Sequence, residues 1–95
     1  MYGTIMTGRL TVPVEQVEAT VRAWEQDKGA RTDGYLDQSV LVSDDGATVV
    51  ACIRFRDRES YARLADDPEQ DAWWSGSMAP LFDGDVAWVD GTWRS

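Results

Sequence analysis

The chemistry open to this chain is limited first by what it lacks: 95 residues hold no histidine and a single cysteine, Cys52. A Ser-His-Asp triad needs an imidazole, and a zinc site needs several imidazole or thiolate ligands, so both are excluded. No Gly-rich phosphate-binding loop is present. The pairs Asp44-Asp45 and Asp66-Asp67 fall in turn or cap sequence, where solvated acids are expected. A partly buried carboxylate acting as general base remains, with Asp37 and Asp90 as equal candidates. The most suggestive polar residue is Arg54, in Arg54-Phe55-Arg56-Asp57-Arg58. Successive strand residues point to opposite faces, so a Phe55 packed into one core delivers Arg54 to the other. An unpaired guanidinium there is costly. Arg54 is therefore expected either to line a ligand cavity or to pair with an aspartate, Asp57 or Asp90.

The aromatic weight lies in Trp24, Tyr61, Trp73, Trp74 and Trp88. Trp24 continues the helical spacing of Val14, Val17 and Val21, which reads first as core. Trp73 and Trp74 are adjacent, about 100° apart on a helix, and cannot both face a sheet squarely. One is expected to pack, the other to line a pocket mouth or a subunit contact.

These residues must be held by a short series of elements. Residues 2–12 read as a strand, and Pro13 suits the start of a helix that carries the valine stripe and Trp24. Asp27-Lys28-Gly29 is expected to end that helix, with Gly29 just past its last turn. Strands over 35–43 and 47–56 flank the turn Ser43-Asp44-Asp45-Gly46 and should form an antiparallel hairpin. Asp57 is a plausible cap for a short helix bearing Tyr61 and Leu64. Asp67-Pro68-Glu69-Gln70 reads as a capping box with Pro at the first helical position. The helix that it opens should stop near Met78-Ala79-Pro80, and Asp83-Gly84 turns the chain into a last strand, Val86 to Trp93. The order strand, helix, strand, strand, helix, strand is that of a small α+β sandwich.

Length and charge bound the rest. Residues 1–95 make one domain, and a chain of this size buries only about 60–65% of its unfolded surface, so an oligomer interface would help it. The net charge of −8 and the pI near 4.2 leave no basic stripe for a phosphate backbone or an anionic membrane. One cysteine allows no internal disulfide. No apolar run is long enough to span a bilayer, and Met1-Tyr2-Gly3-Thr4 leads directly into a strand, so a cytoplasmic location is expected. The strands are apolar on both parities: Val49, Ala51, Ile53 and Phe55 on one, Val50 and Cys52 on the other. Two helices cover one sheet face, so the second face is expected to meet another subunit by sheet-on-sheet packing, with Val50, Trp88 and Val86 as candidates for burial.

Several segments resemble the antibiotic biosynthesis monooxygenase-like proteins of the dimeric α/β-barrel superfamily. They are Val12-Pro13 before the first helix, Gly34-Tyr35-Leu36 before the second strand, and Arg54-Phe55-Arg56-Asp57 with Asp67-Pro68. The resemblance covers nearly the whole chain. It implies a ferredoxin-like βαββαβ monomer with a four-stranded antiparallel sheet, a homodimeric barrel, and a pocket between each sheet and its helices. The haem-degrading branch is similar around Gly8-Arg9-Leu10-Thr11, but it carries Asn at Gly8, Trp near Leu64 and His near Trp74. Haem degradation is therefore not expected.

The cofactor-free branch oxidises electron-rich aromatic polyketides, whose deprotonated form itself activates oxygen, so no cofactor and no metal are implied. The protein then excludes water, stacks the rings and stabilises an oxyanion. By that resemblance Trp24, Tyr61, Trp73, Trp74 and Trp88 would supply stacking walls for an aromatic polyketide or quinone-like metabolite, and Arg54 a charged donor. The competing reading is a non-catalytic ligand-binding or stress-associated barrel. A pocket of about 300 Å³ or more with Arg54 pointing inward favours the enzyme; a filled interior favours the binding module.

Overall fold

The computed structural model describes residues 1–94. Strand β1 (Tyr2–Arg9) leads to helix α1 (Val14–Trp24), then β2 (Tyr35–Val42) and β3 (Thr48–Phe55). Two short helices follow, α2 (Arg58–Ala65) and α3 (Pro68–Trp73), before β4 (Ala87–Thr92). The sheet order is β2-β3-β1-β4, and every neighbouring pair is antiparallel. This is the ferredoxin-like α+β arrangement, with the helices on one face of the sheet. No helix among the described residues is long and apolar enough to cross a membrane.

Local chemistry explains most boundaries. Pro13 caps α1 with extended backbone, and Val17 and Trp24 are the buried members of its stripe. The Asp57 carboxylate accepts from the Ser60 amide at 2.9 Å and so starts α2. Asp67 accepts from the Glu69 amide at 2.9 Å at the start of α3. The capping box is not closed there, because Gln70 is engaged elsewhere: its Oε1 accepts from Trp24 Nε1 at 2.7 Å. A buried indole N–H needs a partner more than an exposed cap does.

The end of the first helix differs from expectation. Helical backbone does not stop at Gly29; it runs through a π-turn, Glu25–Gly29, and on to Arg31. Gly29 is buried, and a Cβ there would stand 2.9 Å from the Trp24 ring, so its lack of a side chain makes room for the indole. The residue that reverses the chain is Gly34, with φ +87°. A second π-turn, Trp74–Met78, and a single 3₁₀ turn, Ala79–Leu81, end α3. Lys28 in the first π-turn pairs with Asp67 and, at 3.2 Å, with Glu69, tying the two helical ends together.

The core divides into two groups on the helix side of the sheet. Met6, Val17, Val49, Ala51, Met78 and Phe82 form one, and Trp24, Phe55 and Leu64 the other. Thr4 and Met6 of β1, Val49 and Ala51 of β3 face this layer. The opposite face carries Ile5, Leu41, Val50, Cys52 and Val89, with Leu41 66% and Val89 68% exposed.

Candidate functional site

Between the two core groups lies a cavity of about 440 Å³. Trp24 of α1, Tyr61 of α2, Trp73 at the end of α3 and Trp74 of the following π-turn line its helical side. Thr4 and Met6 of β1, Gln38 and Val40 of β2, and Ala51 and Ile53 of β3 line its sheet side. Trp88 and Asp90 of β4 complete the lining. Five of the six residues expected to bind a substrate thus share one cavity.

The aromatic rings brace one another rather than stack in a row. Trp24 and Trp73 lie 5.8 Å apart, and Tyr35 meets Trp24 edge-on at 5.0 Å. Trp74 stacks on Phe82 at 6.2 Å and meets Trp88 edge-on at 5.1 Å. Trp73 packs against both core groups and Trp74 against the Met6 group alone, and both border the cavity. Trp24 packs and lines at once: it is 6% exposed, yet borders the open volume.

Polar groups reach the cavity at a few points. Asp90 Oδ1 accepts from Thr4 Oγ1 at 2.7 Å and from Tyr61 Oη at 2.9 Å. Burial, followed by that hydrogen bond, pushes the Tyr61 hydroxyl up to about 12, so it stays a donor. Gln38 Nε2 donates to Tyr35 Oη, which in turn donates to Glu25 at 2.8 Å. Burial and the Glu25 carboxylate raise the Tyr35 hydroxyl well above the ordinary tyrosine range. The charged residues in the lining are Asp71 and Asp90, both exposed at its rim; among the described residues no lysine or arginine borders the cavity. Among the described residues no group of three His, Cys, Asp or Glu side chains is arranged to hold a metal ion.

Arg54 is the sixth expected binding residue, and it lies elsewhere. Its Nη1 donates to Asp37 Oδ1 at 2.8 Å and its guanidinium sits 5.2 Å from the Trp93 ring, on the sheet face away from the cavity. The partner is Asp37 rather than Asp57 or Asp90. Asp57 instead caps α2 and pairs with Arg56, while Asp90 belongs to the cavity. The two candidate bases, Asp37 and Asp90, are thus on opposite faces, and both are exposed rather than partly buried. Val86 and Trp88 do not stand on the outer sheet face with Val50, although Trp88 stays 44% exposed. Trp88 pairs in register with Met6 and touches Trp74, and Val86 approaches the Phe82 side, so both face the helices. Of the three, only Val50 faces outward.

Thr4, Gln38 and Gln70 were not expected at the site. For two of them a signal existed: Thr4 interrupts the buried parity that continues with Met6 and Gly8, and Gln38 precedes Val40 and Val42 on the same parity. A polar residue on an otherwise apolar parity marks a cavity. Gln70 carried no such mark. At the positions compared with the haem-degrading branch, Leu64 is buried and Trp74 lines the cavity. A side chain at Gly8 would meet the Phe82 ring within 2.6 Å.

The fold recurs in solved structures. A cofactor-independent oxygenase from Streptomyces nogalater, SnoaB, superposes with a TM-score of 0.75 over 99% of this chain and 93% of its own, at 15% identity. The chain shares its fold. A monooxygenase from the ActVA-Orf6 gene of Streptomyces coelicolor, solved with nanaomycin D, gives a TM-score of 0.76 at 21% identity, covering 99% of this chain and 88% of that one. A third structure, an antibiotic biosynthesis monooxygenase, matches over the full length of both chains with a TM-score of 0.69 and 11% identity. No protein-family model and no curated protein matches the sequence.

Proposed function

We propose that this chain is an antibiotic biosynthesis monooxygenase-like protein: a cytoplasmic, homodimeric, cofactor-independent monooxygenase of an aromatic polyketide or quinone-like metabolite. The observation that carries the reading is the 440 Å³ cavity walled by Trp24, Tyr61, Trp73, Trp74 and Trp88 with a single braced carboxylate, Asp90. The fold it shares with a cofactor-independent oxygenase and with a monooxygenase holding nanaomycin D supports it.

In this reading the rings hold a flat substrate and Asp90 takes a proton from an activated methylene. The resulting carbanion adds dioxygen. The hydroperoxide anion regains a proton from the same carboxyl, then loses water to leave a carbonyl. One oxygen atom stays in the product and the other leaves as water, and the substrate carbon supplies all the electrons. Thr4 and Tyr61 both donate to Oδ1 and so fix the carboxylate, which is the proximity contribution expected of a positioned base.

The dimer would form through the outer sheet face, where Leu41 and Val89 stand exposed beside Ile5, Val50 and Cys52.

A second reading, a non-catalytic ligand-binding barrel, is favoured by the position of Arg54. With the guanidinium on the other face, the cavity lacks a cation for an oxyanion. Oxygen uptake separates the two. Metal-free protein mixed with an anthrone should consume one equivalent of dioxygen and yield the anthraquinone. Quenching of tryptophan fluorescence by the anthrone without oxygen uptake would assign the binding role.

A further inference from the structure

Helix α3 is held differently at its two ends. Beyond its last residue the π-turn Trp74–Met78 is seated in the core: Met78 is 3% exposed and Trp74 stacks on Phe82. Towards its start the chain enters through the exposed residues Ala65 and Asp66, and no residue from Pro68 to Trp73 is buried. The polar ties there run through side chains. Gln70 Oε1 accepts from Trp24 Nε1 at 2.7 Å, Lys28 pairs with Asp67 and with Glu69, and Arg31 reaches Glu69 at 3.3 Å. All three donors come from α1 and its continuation, so these contacts close one seam between that helix and α3.

The seam lies along the cavity. Trp24 and Gln70 border it, and Asp71 stands exposed at its rim with Asp90. Helix α3 therefore forms one lip of the mouth, and Trp73, which ends it, is part of the wall. Trp73 borders open volume, so moving it forfeits less packing than moving a ring in a filled core. The ionic part of the seam is partly exposed, which makes it weak and open to screening by salt. The Trp24–Gln70 bond draws the seam shut again, because a buried indole N–H without a partner is costly.

We infer that α3 is a latched flap. It swings about the π-turn Trp74–Met78, releases Trp24 from Gln70 and Lys28 and Arg31 from their carboxylates together, and so opens the way into the cavity. The inference rests on the cavity being a ligand site, which both readings above share, and it supplies the route that they leave open.

The indole proton of Trp24 reports the seam directly, since it meets solvent only when Gln70 lets go. Followed by nuclear magnetic resonance in deuterated buffer at neutral pH, it should be less protected than the amides of β3, which wait for global unfolding. Lys28→Met should speed its exchange about fivefold, and Glu69→Gln, an exposed position outside the cavity lining, about twofold. Sodium chloride at about 0.5 M should speed the wild type more than Lys28→Met. Release of the neutral probe N-phenyl-1-naphthylamine, measured by stopped-flow fluorescence, should quicken by the same factors in both variants. Protection of the Trp24 proton equal to that of the β3 amides overturns the inference, because the seam then opens only on unfolding. So does exchange indifferent to both variants, or probe release that stays constant while exchange rises. Failure of the probe to bind to a protein whose Trp24 exchange responds to both variants would fault the ligand-site reading and leave the flap standing.

Discussion

Arg54 and Asp37 oppose each other across the β2–β3 pair, Nη1 to Oδ1 at 2.8 Å, on the sheet face that the cavity does not use. The guanidinium is also within 5.2 Å of the Trp93 ring centre. Both contacts are partly exposed, and such pairs contribute little. Replacing Arg54 with Met should cost no more than about 1 kcal/mol. For a chain of this size that is a fall of about 4–8 °C in melting temperature. Quenching of tryptophan fluorescence by the anthrone should be unchanged. A variant that folds normally yet no longer binds would place the guanidinium in the site after all.

The outer face gives the second expectation. Sedimentation at micromolar protein should return about twice the 10.6 kDa chain mass. Val89→Asp and Leu41→Asp each put a charge into the exposed apolar surface and should shift the protein to monomer. Trp88→Ala, which alters the cavity side, should leave the dimer intact. A wild-type protein that sediments as a monomer would remove the sheet-on-sheet assembly.

Loss of the base is the third. Asp90→Asn keeps the shape and the hydrogen bonds from Thr4 and Tyr61 but cannot take a proton. Oxygen uptake with an anthrone should fall by about a hundredfold or more, while quenching of tryptophan fluorescence shows the anthrone still bound. Unchanged turnover in this variant would move the proton acceptor elsewhere.

Stability should fall at both ends of the pH scale, for opposite reasons. Hydrogen bonds from Ser60 and the neighbouring Arg56 hold the Asp57 carboxyl well below the usual carboxylate range, and Asp33, Asp45 and Asp67 are lowered as well. A depressed carboxyl contributes fully above its unfolded value near 4 and loses that contribution as pH falls through its folded value. The melting temperature should therefore hold from neutral to about pH 5 and decline below about pH 4. Asp57→Asn should start lower and decline less. Tyr61, raised to about 12, works the other way. Its contribution is complete below about pH 10 and is lost between there and about pH 12. Tyr61→Phe should flatten that alkaline limb; an alkaline decline that is the same with and without the hydroxyl would contradict a stabilising Tyr61–Asp90 hydrogen bond.

The element order was legible because its punctuation is local. Pro13, Gly46, Asp57, Asp67-Pro68 and Gly84 act within a few residues of themselves. The gathering of Trp24, Tyr61, Trp73, Trp74 and Trp88 followed from placing helices over one sheet face. What stayed hidden depends on register between distant strands. A bulge between Tyr35 and Asp37 reverses the parity of β2, so Tyr35 faces the core and Asp37 faces out to meet Arg54. Residue types around position 36 do not announce it. The pairing of Met6 with Trp88 likewise decides that β4 turns Trp88 inward. The spacing of Gln70 from Asp67 fits a cap; the competing indole is 46 residues away in sequence.

Trp24 and Trp74 each adjoin a π-turn, and a π-turn holds one residue more than the α-helical turn it replaces. Chain length, and not only side-chain identity, therefore shapes the floor and roof of the cavity. Deleting one residue from Glu25–Gly29 would let the first helix close as a regular spiral. The α-turn does with one residue fewer what the π-turn does, so Trp24 and the residues beyond the turn would keep their bearings. A deletion within Trp74–Met78 would likewise close the end of α3 as a regular spiral. Two single-residue indels thus offer this fold a way to tighten the helical roof of its cavity while its wall residues keep their directions.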